Sequence, residues 1–184
     1  MALTKSNMLP LGFKAPNFSL PNVVNGNFES LEVLKGHGGT LVVFMCNHCP
    51  YVIHLLDEFV SLAAEYKTKG INTIAISSNN VNTHPADSPD KMKKLALKKN
   101  FSFPYLYDQS QEIAKSYDAT CTPDFFLFDQ EINLVYRGCF DQSRPGNNTP
   151  ITGNHLRNAI DSLLLGEPIS KEQFPSMGCN IKWI

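Results

Sequence analysis

Two cysteines three residues apart, Cys46 and Cys49, stand where an apolar run gives way to a helical pattern. The thiolate is cysteine's reactive form, able to attack disulfides and to bind metals. The stretch Cys46-Asn47-His48-Cys49-Pro50 offers several ways to make one. Proline suits the first position of a helix, where its missing N–H would have been unbonded anyway. Pro50 therefore puts Cys49 at or beside the N-cap, where free backbone N–H groups and the positive end of the helix dipole face its sulfur. His48 adds a neighbour that can carry positive charge and lower a thiol pKa further. In this setting Cys-x-x-Cys points to a dithiol/disulfide centre. The residues alone also allow two buried cysteines acting as small hydrophobes, or a soft-metal site built from Cys46, Cys49 and a distant histidine. A closed zinc site would need a second Cys-x-x-Cys or a histidine pair, which the sequence does not supply.

The flanking pattern supplies the elements that would hold this pair. Thr40 to Met45 is apolar and β-branched, long enough for one buried strand. Beyond Pro50, Tyr51, Leu55, Phe59 and Leu62 recur at helical spacing, with Val52, Leu56 and Val60 widening the stripe, and Gly70 ends the helix. Ile71 to Ser77 gives the next strand, so strand–helix–strand predicts a right-handed parallel crossover. A polar loop over 79–89 and a helix over about 89–100 come next, then a short strand at 103–107 and a short helix at 110–117. Phe125 to Phe128 and Leu134 to Tyr136 predict an antiparallel pair, and Gly153 to Leu165 a last amphipathic helix. Residues 1–17 are expected to be an irregular lead-in, 18–20 and 28 onward a small hairpin, and 167–184 an irregular tail. A second candidate for the site is Cys121-Thr122-Pro123, just before the strand at 124. Spacing alone makes Pro123 an ordinary trans strand start; a cis bond there would present the Thr122 backbone to a bound thiol or mixed disulfide.

Composition narrows the function classes. The chain has 184 residues, 42% of them hydrophobic, with a formal net charge of −1, which suits one domain with a sizeable core. So even a balance argues against nucleic-acid binding. The densest basic run, Lys91 to Lys99, is expected to be the solvated face of a helix whose apolar face holds Met92, Leu95 and Leu97. No stretch reaches membrane-spanning length, and the opening residues show no secretory signal, so a cytoplasmic setting is expected. Five cysteines fit a structural disulfide framework poorly.

Several stretches resemble one known superfamily. Thr40 to Val52, followed some seventy residues later by Thr-Cys-Thr-Pro-Asp, looks like the thioredoxin fold. Cys-Asn-His-Cys-Pro-Tyr-Val, Cys-Thr-Pro-Asp-Phe-Phe-Leu-Phe-Asp, Gly-Cys-Asn-Ile-Lys-Trp and the early Gly12 to Leu20 resemble the peroxiredoxin-like branch of the alkyl hydroperoxide reductase/thiol-specific antioxidant superfamily (AhpC/TSA). The resemblance implies a thioredoxin-like α/β domain over 1–184, its core at about 10–166, with a mixed central sheet and helices on both faces. In thioredoxin-like proteins an aromatic residue of the strand lies about five positions before the nucleophile; counting from Phe44 makes Cys49 that nucleophile and Val52 the usual second-cysteine position. The sequence departs from the peroxiredoxin pattern Pro-x-x-x-Thr/Ser-x-x-Cys, because Met45 and Cys46 stand four and three residues before Cys49 and the upstream proline is absent.

The implied function is an enzyme, a thiol-based oxidoreductase acting on a protein or small-molecule disulfide or on a peroxide, recycled by a cellular reductant and using no organic cofactor. Cys49 would attack and Cys46 would resolve, with His48 stabilising the thiolate and the Thr122–Pro123 backbone aligning the partner. Cys121 and Cys179 are further candidates to resolve a sulfenic acid, and Cys139 is expected to be inert packing. Arg137 could supply a cation to the site, although a strand arginine is more often solvated. Asp124 is expected to line the site or cap a turn, and His54 and His155 to be boundary residues. A peroxidase proper is one alternative; a copper carrier using Cys46, Cys49 and a histidine is the non-enzymatic one.

Overall fold

In the computed structural model, which describes residues 3–184, the apolar run ending at Phe44 is the centre of a five-stranded sheet. In chain order the elements are β1 (Leu3–Lys5), β2 (Ser19–Pro21), β3 (Phe28–Ser30), α1 (Leu31–Leu34), β4 (Gly39–Phe44), α2 (Pro50–Lys67) and β5 (Ile71–Ser77). There follow α3 (Pro89–Lys98), β6 (Tyr105–Tyr107), α4 (Glu112–Ser116), β7 (Cys121–Thr122), β8 (Asp124–Phe128), β9 (Leu134–Gly138), α5 (Asn154–Leu165) and β10 (Met177–Asn180). The central sheet runs β6-β5-β4-β8-β9, parallel across β4–β5–β6 and antiparallel across β4–β8–β9.

Every residue of β4 is buried, as a strand covered on both faces requires. Its side chains alternate between two cores. Leu41 and Val43 face α2, α3 and α5; Val42 and Phe44 face α1 and α4. Strand β8 does the same, with Phe125 and Leu127 on the first side and Phe126 and Phe128 on the second. Helix α2 buries Val52, Leu55, Leu56, Phe59, Leu62, Ala63 and Tyr66, a stripe at helical spacing, while Tyr51 and Val60 lie only half-buried at its margin. Burying Phe59 alone stabilises the packing of α2 on the sheet by about 2 kcal/mol. The thioredoxin-like arrangement and the helices on both faces are as the sequence predicts.

Two expectations are corrected at the chain ends. The lead-in is not wholly irregular, because β1 pairs antiparallel with β10. Nor is the tail, whose Met177–Asn180 also pairs with β7 to make a second, three-stranded sheet in the order β1-β10-β7. Strands of three or four residues carry too little pattern to be seen alone, and partners far along the chain decide them. A smaller correction falls on α3, which buries Met92 and Ala96 while Leu97 is exposed. Among the described residues no helix is long and apolar enough to cross a membrane.

Candidate active site

The register of the sheet assembles the site. Phe44 pairs with Asp124 across β4 and β8, so the residues beyond each, Met45–Cys46 and Thr122–Pro123, meet at the same end of the sheet. Cys49 is the N-cap of α2, with Pro50 at the first helical position as the sequence predicts. The Thr122–Pro123 bond is cis.

Around the Cys49 sulfur the contacts are thiols and backbone. Its Sγ lies 2.9 Å from Cys179 Sγ and 3.1 Å from the Thr122 carbonyl oxygen. Cys46 Sγ is 3.4 Å from Thr122 Oγ1 and 3.8 Å from His48 Nδ1. The Cys49 pKa is lowered to about 5, chiefly because Cys46 donates a hydrogen bond to its thiolate; Cys179, Thr122 and the Val52 N–H act in the same direction against the cost of burial. The same bond holds the proton on Cys46, whose pKa is raised, with burial and the charge of Asp87 adding to the effect. Burial pushes Cys179 up to about 12, with the bond to Cys49 second. The three shifts point in one direction, favouring the thiolate at Cys49 and the thiol at Cys46 and Cys179. Cys121 occupies β7 with its Sγ 3.8 Å from the Pro123 carbonyl, and burial raises its pKa too. Cys139 is buried apart from this group, in the wall that Tyr51, His54 and Phe140 also line.

The loop carrying the cysteines is braced by a residue that sequence reasoning missed. Asp87, fully buried in the turn Pro85–Asp87, accepts hydrogen bonds from the Asn47 N–H (2.8 Å), the His48 N–H (3.3 Å), His48 Nδ1 (2.6 Å) and Asn79 Nδ2 (2.8 Å). An aspartate before Ser-Pro looks like any turn residue, so no local signal marks it. His48 is consequently placed differently from the sequence expectation. Its Nδ1 is held by Asp87 and faces Cys46, and the groups that lower the Cys49 pKa are the Cys46 and Cys179 thiols, the Thr122 side chain and the Val52 N–H, not this imidazole. Asn79 Oδ1 in turn accepts from the Lys182 N–H, which ties the brace to the segment after β10.

Arg137 is not solvated. It is fully buried, its Nη2 3.3 Å from Asp124 Oδ2 and 2.8 Å from the Asp118 carbonyl, with its guanidinium over the Phe126 ring. It thus serves the core behind the site, and Asp124 is its partner while also accepting from the Thr120 N–H of the loop before β8. His54 bonds Ser143 Oγ at 2.8 Å, and His155 packs against Phe174, both at the margin as expected.

For a metal, Cys46, His48 and Asp87 bring three donor atoms within 4.8 Å of one another. The carboxylate oxygens are already committed to four N–H donors, and a hard oxygen ligand suits copper poorly.

A thioredoxin-like frame that sets a low-pKa cysteine on a helix N-terminus defines a thiol-based redox protein. The chain belongs to the AhpC/TSA family, whose model matches residues 11–137. It is 50% identical to an uncharacterized conserved protein from Geobacillus kaustophilus, with a TM-score of 0.98 over 100% of this chain and 97% of that one. Peroxiredoxin 1 of Brugia malayi is 27% identical over 146 residues, 76% of this chain and 59% of that protein. The peroxidoxin BcpB of Mycobacterium tuberculosis, 19% identical, shares the fold with a TM-score of 0.62 over 85% of this chain and 97% of its own.

Proposed function

We propose that the chain reduces a small oxidant with Cys49 as nucleophile, and that a hydroperoxide suits the site better than a polypeptide disulfide. The observation that carries this reading is the Cys49 sulfur at the N-terminus of α2, buried beside the thiols of Cys46 and Cys179, which favour its thiolate. The thiolate attacks the O–O bond; an S–O bond forms, the O–O bond breaks, and the departing oxygen takes a proton to leave as water or an alcohol. Cys49 is left as a sulfenic acid. Cys46, whose S–H bonds the thiolate, holds the charge in place before attack, and Thr122 fixes Cys46 through its hydroxyl. His48 and Asp87 position the loop.

The preference for a small oxidant rests on access. Cys49 is 0% exposed. The β7 edge, where a peptide strand would have to pair, is already occupied by β10. Regeneration requires a dithiol reductant from outside the chain. Mixing the reduced protein with hydrogen peroxide or with oxidised glutathione, and following the loss of the Cys49 thiol, tests the reading. Rapid loss with peroxide, absent in Cys49→Ser, is the expected result. Equal consumption of both oxidants by Cys49→Ser and the parent protein would overturn it. Copper in stoichiometric amount in protein purified without added metal, lost in Cys46→Ser, would favour the carrier instead.

A further inference from the structure

We propose that Cys179, brought in by the C-terminal strand, is the residue that resolves oxidised Cys49, closing a Cys49–Cys179 disulfide while Cys46 remains a thiol. The inference rests on the reading of Cys49 as nucleophile. The two sulfurs are 2.9 Å apart, about 0.9 Å more than an S–S bond of about 2.05 Å. Closure therefore needs an adjustment of side chains, not the unfolding of an element.

The backbone is built for this approach. Cys179 is registered between Leu3 of β1 and Thr122 of β7, and the next residues are tied down in turn. Ile181 N–H donates to the Thr120 carbonyl, and Lys182 N–H to Asn79 Oδ1. Before it, Ser176 Oγ donates to the Gly138 carbonyl. Gly178 permits the contact: a Cβ there would stand 1.9 Å from the Thr122 carbonyl oxygen, the atom that also faces Cys49 Sγ. Any side chain at 178 would lift the strand away from Cys49. Cys46 has a different set of contacts, with Thr122 Oγ1 and His48 on one side and a proton held toward Cys49 on the other. It supports the thiolate from the side of the loop, away from β10.

The step balances. Cys49 sulfenic acid and the Cys179 thiol condense; the S–S bond forms, the S–O bond of Cys49 breaks, and the hydroxyl leaves as water with the proton of Cys179. The two electrons that reduced the hydroperoxide have then come from the Cys49–Cys179 pair.

The test is to oxidise the fully reduced protein with one equivalent of hydrogen peroxide, quench in acid, alkylate and map the tryptic fragments by mass. Cys46 and Cys49 share the fragment 36–67, and Cys179 lies on 172–182, so an internal link and a cross-link have distinct masses. The expected product in the parent protein is the cross-link, with Cys46 recovered alkylated. In Cys179→Ser, sulfenic acid on Cys49 trapped by dimedone should rise roughly tenfold. An internal Cys46–Cys49 link with Cys179 alkylated in the parent protein would overturn this proposal alone. Failure of Cys49 to oxidise would overturn it together with the reading on which it rests. The parent mapping decides the matter even if a variant folds poorly.

Discussion

His48 Nδ1 lies 2.6 Å from the carboxylate of Asp87, a residue thirty-nine positions further on that also holds the backbone N–H groups of Asn47 and His48. The loop between the two cysteines is thus shaped by an anchor outside it. Replacing Asp87 with alanine strands several buried donors at once, and each unsatisfied group costs about 1–3 kcal/mol. Urea unfolding of Asp87→Ala should show a loss of about 3 kcal/mol or more, with Asp87→Asn less affected because it keeps one acceptor oxygen. An unchanged midpoint would mean that the loop is held by something else.

The thiolate should be visible as a pH titration. Thiolate ultraviolet absorbance should rise with a midpoint near pH 5 in the parent protein and be lost in Cys49→Ser. The sign of the stability effect follows from proton counting. With the folded-state pKa near 5 and the ordinary value at 9.0, the folded state binds fewer protons than the unfolded chain across that interval. The stability contributed by Cys49 therefore rises with pH through the window, is complete above it, and is lost as pH falls through the folded-state value. Above it, Cys46 and Cys179, both raised, work the other way. The difference in unfolding free energy between parent and Cys49→Ser should grow from pH 5 to pH 9; a flat difference would contradict the assignment.

Cys46 is assigned as the main donor to that thiolate. A hydrogen bond to a charged group contributes about 1.5–3 kcal/mol, which corresponds to about one to two pKa units. Cys46→Ala should raise the Cys49 midpoint by roughly that much in the same titration. Cys46→Ser, which keeps a donor, should shift it less. Identical midpoints in all three proteins would remove Cys46 from this role.

Behind the site, Arg137 and Asp124 form an ion pair with both side chains fully buried. Burial pushes Asp124 up to about 7 even against the pull of Arg137. Removing only the carboxylate, as in Asp124→Ala, leaves a buried guanidinium without its counter-charge and should cost about 3–5 kcal/mol in denaturant unfolding. The double replacement Asp124→Leu/Arg137→Met should lose distinctly less than the single change. A larger loss in the double variant would show that the pair itself stabilises the core.

Gly178→Ala tests whether the seating of β10 matters to the chemistry. The added methyl group would collide with the Thr122 carbonyl, which is backbone and cannot swing aside. Displacing the strand should take Cys179 away from Cys49, raise the Cys49 midpoint and abolish the Cys49–Cys179 cross-link. A variant that titrates and cross-links like the parent would show that the strand tolerates the shift.

What the sequence determined is the local part of this protein. The strand into Phe44, the proline-led helix from Pro50 and the parallel return through Ile71 follow from side-chain periodicity, which acts over a few residues. The N-cap position of Cys49 follows from the same local rules. The tertiary structure decided everything that depends on two distant segments meeting. The antiparallel register of Phe44 with Asp124 brings Thr122 to the cysteines, and pairing with β1 and β7 makes a strand of Met177–Asn180. Arg137, a strand arginine that ordinary exposure would leave in water, is buried because Asp124, Phe126 and the Asp118 carbonyl converge on it. His48 turns to Asp87 for the same kind of reason. A hydrogen-bond partner far along the chain leaves no trace in the local pattern, because register and packing, not propensity, set which groups meet.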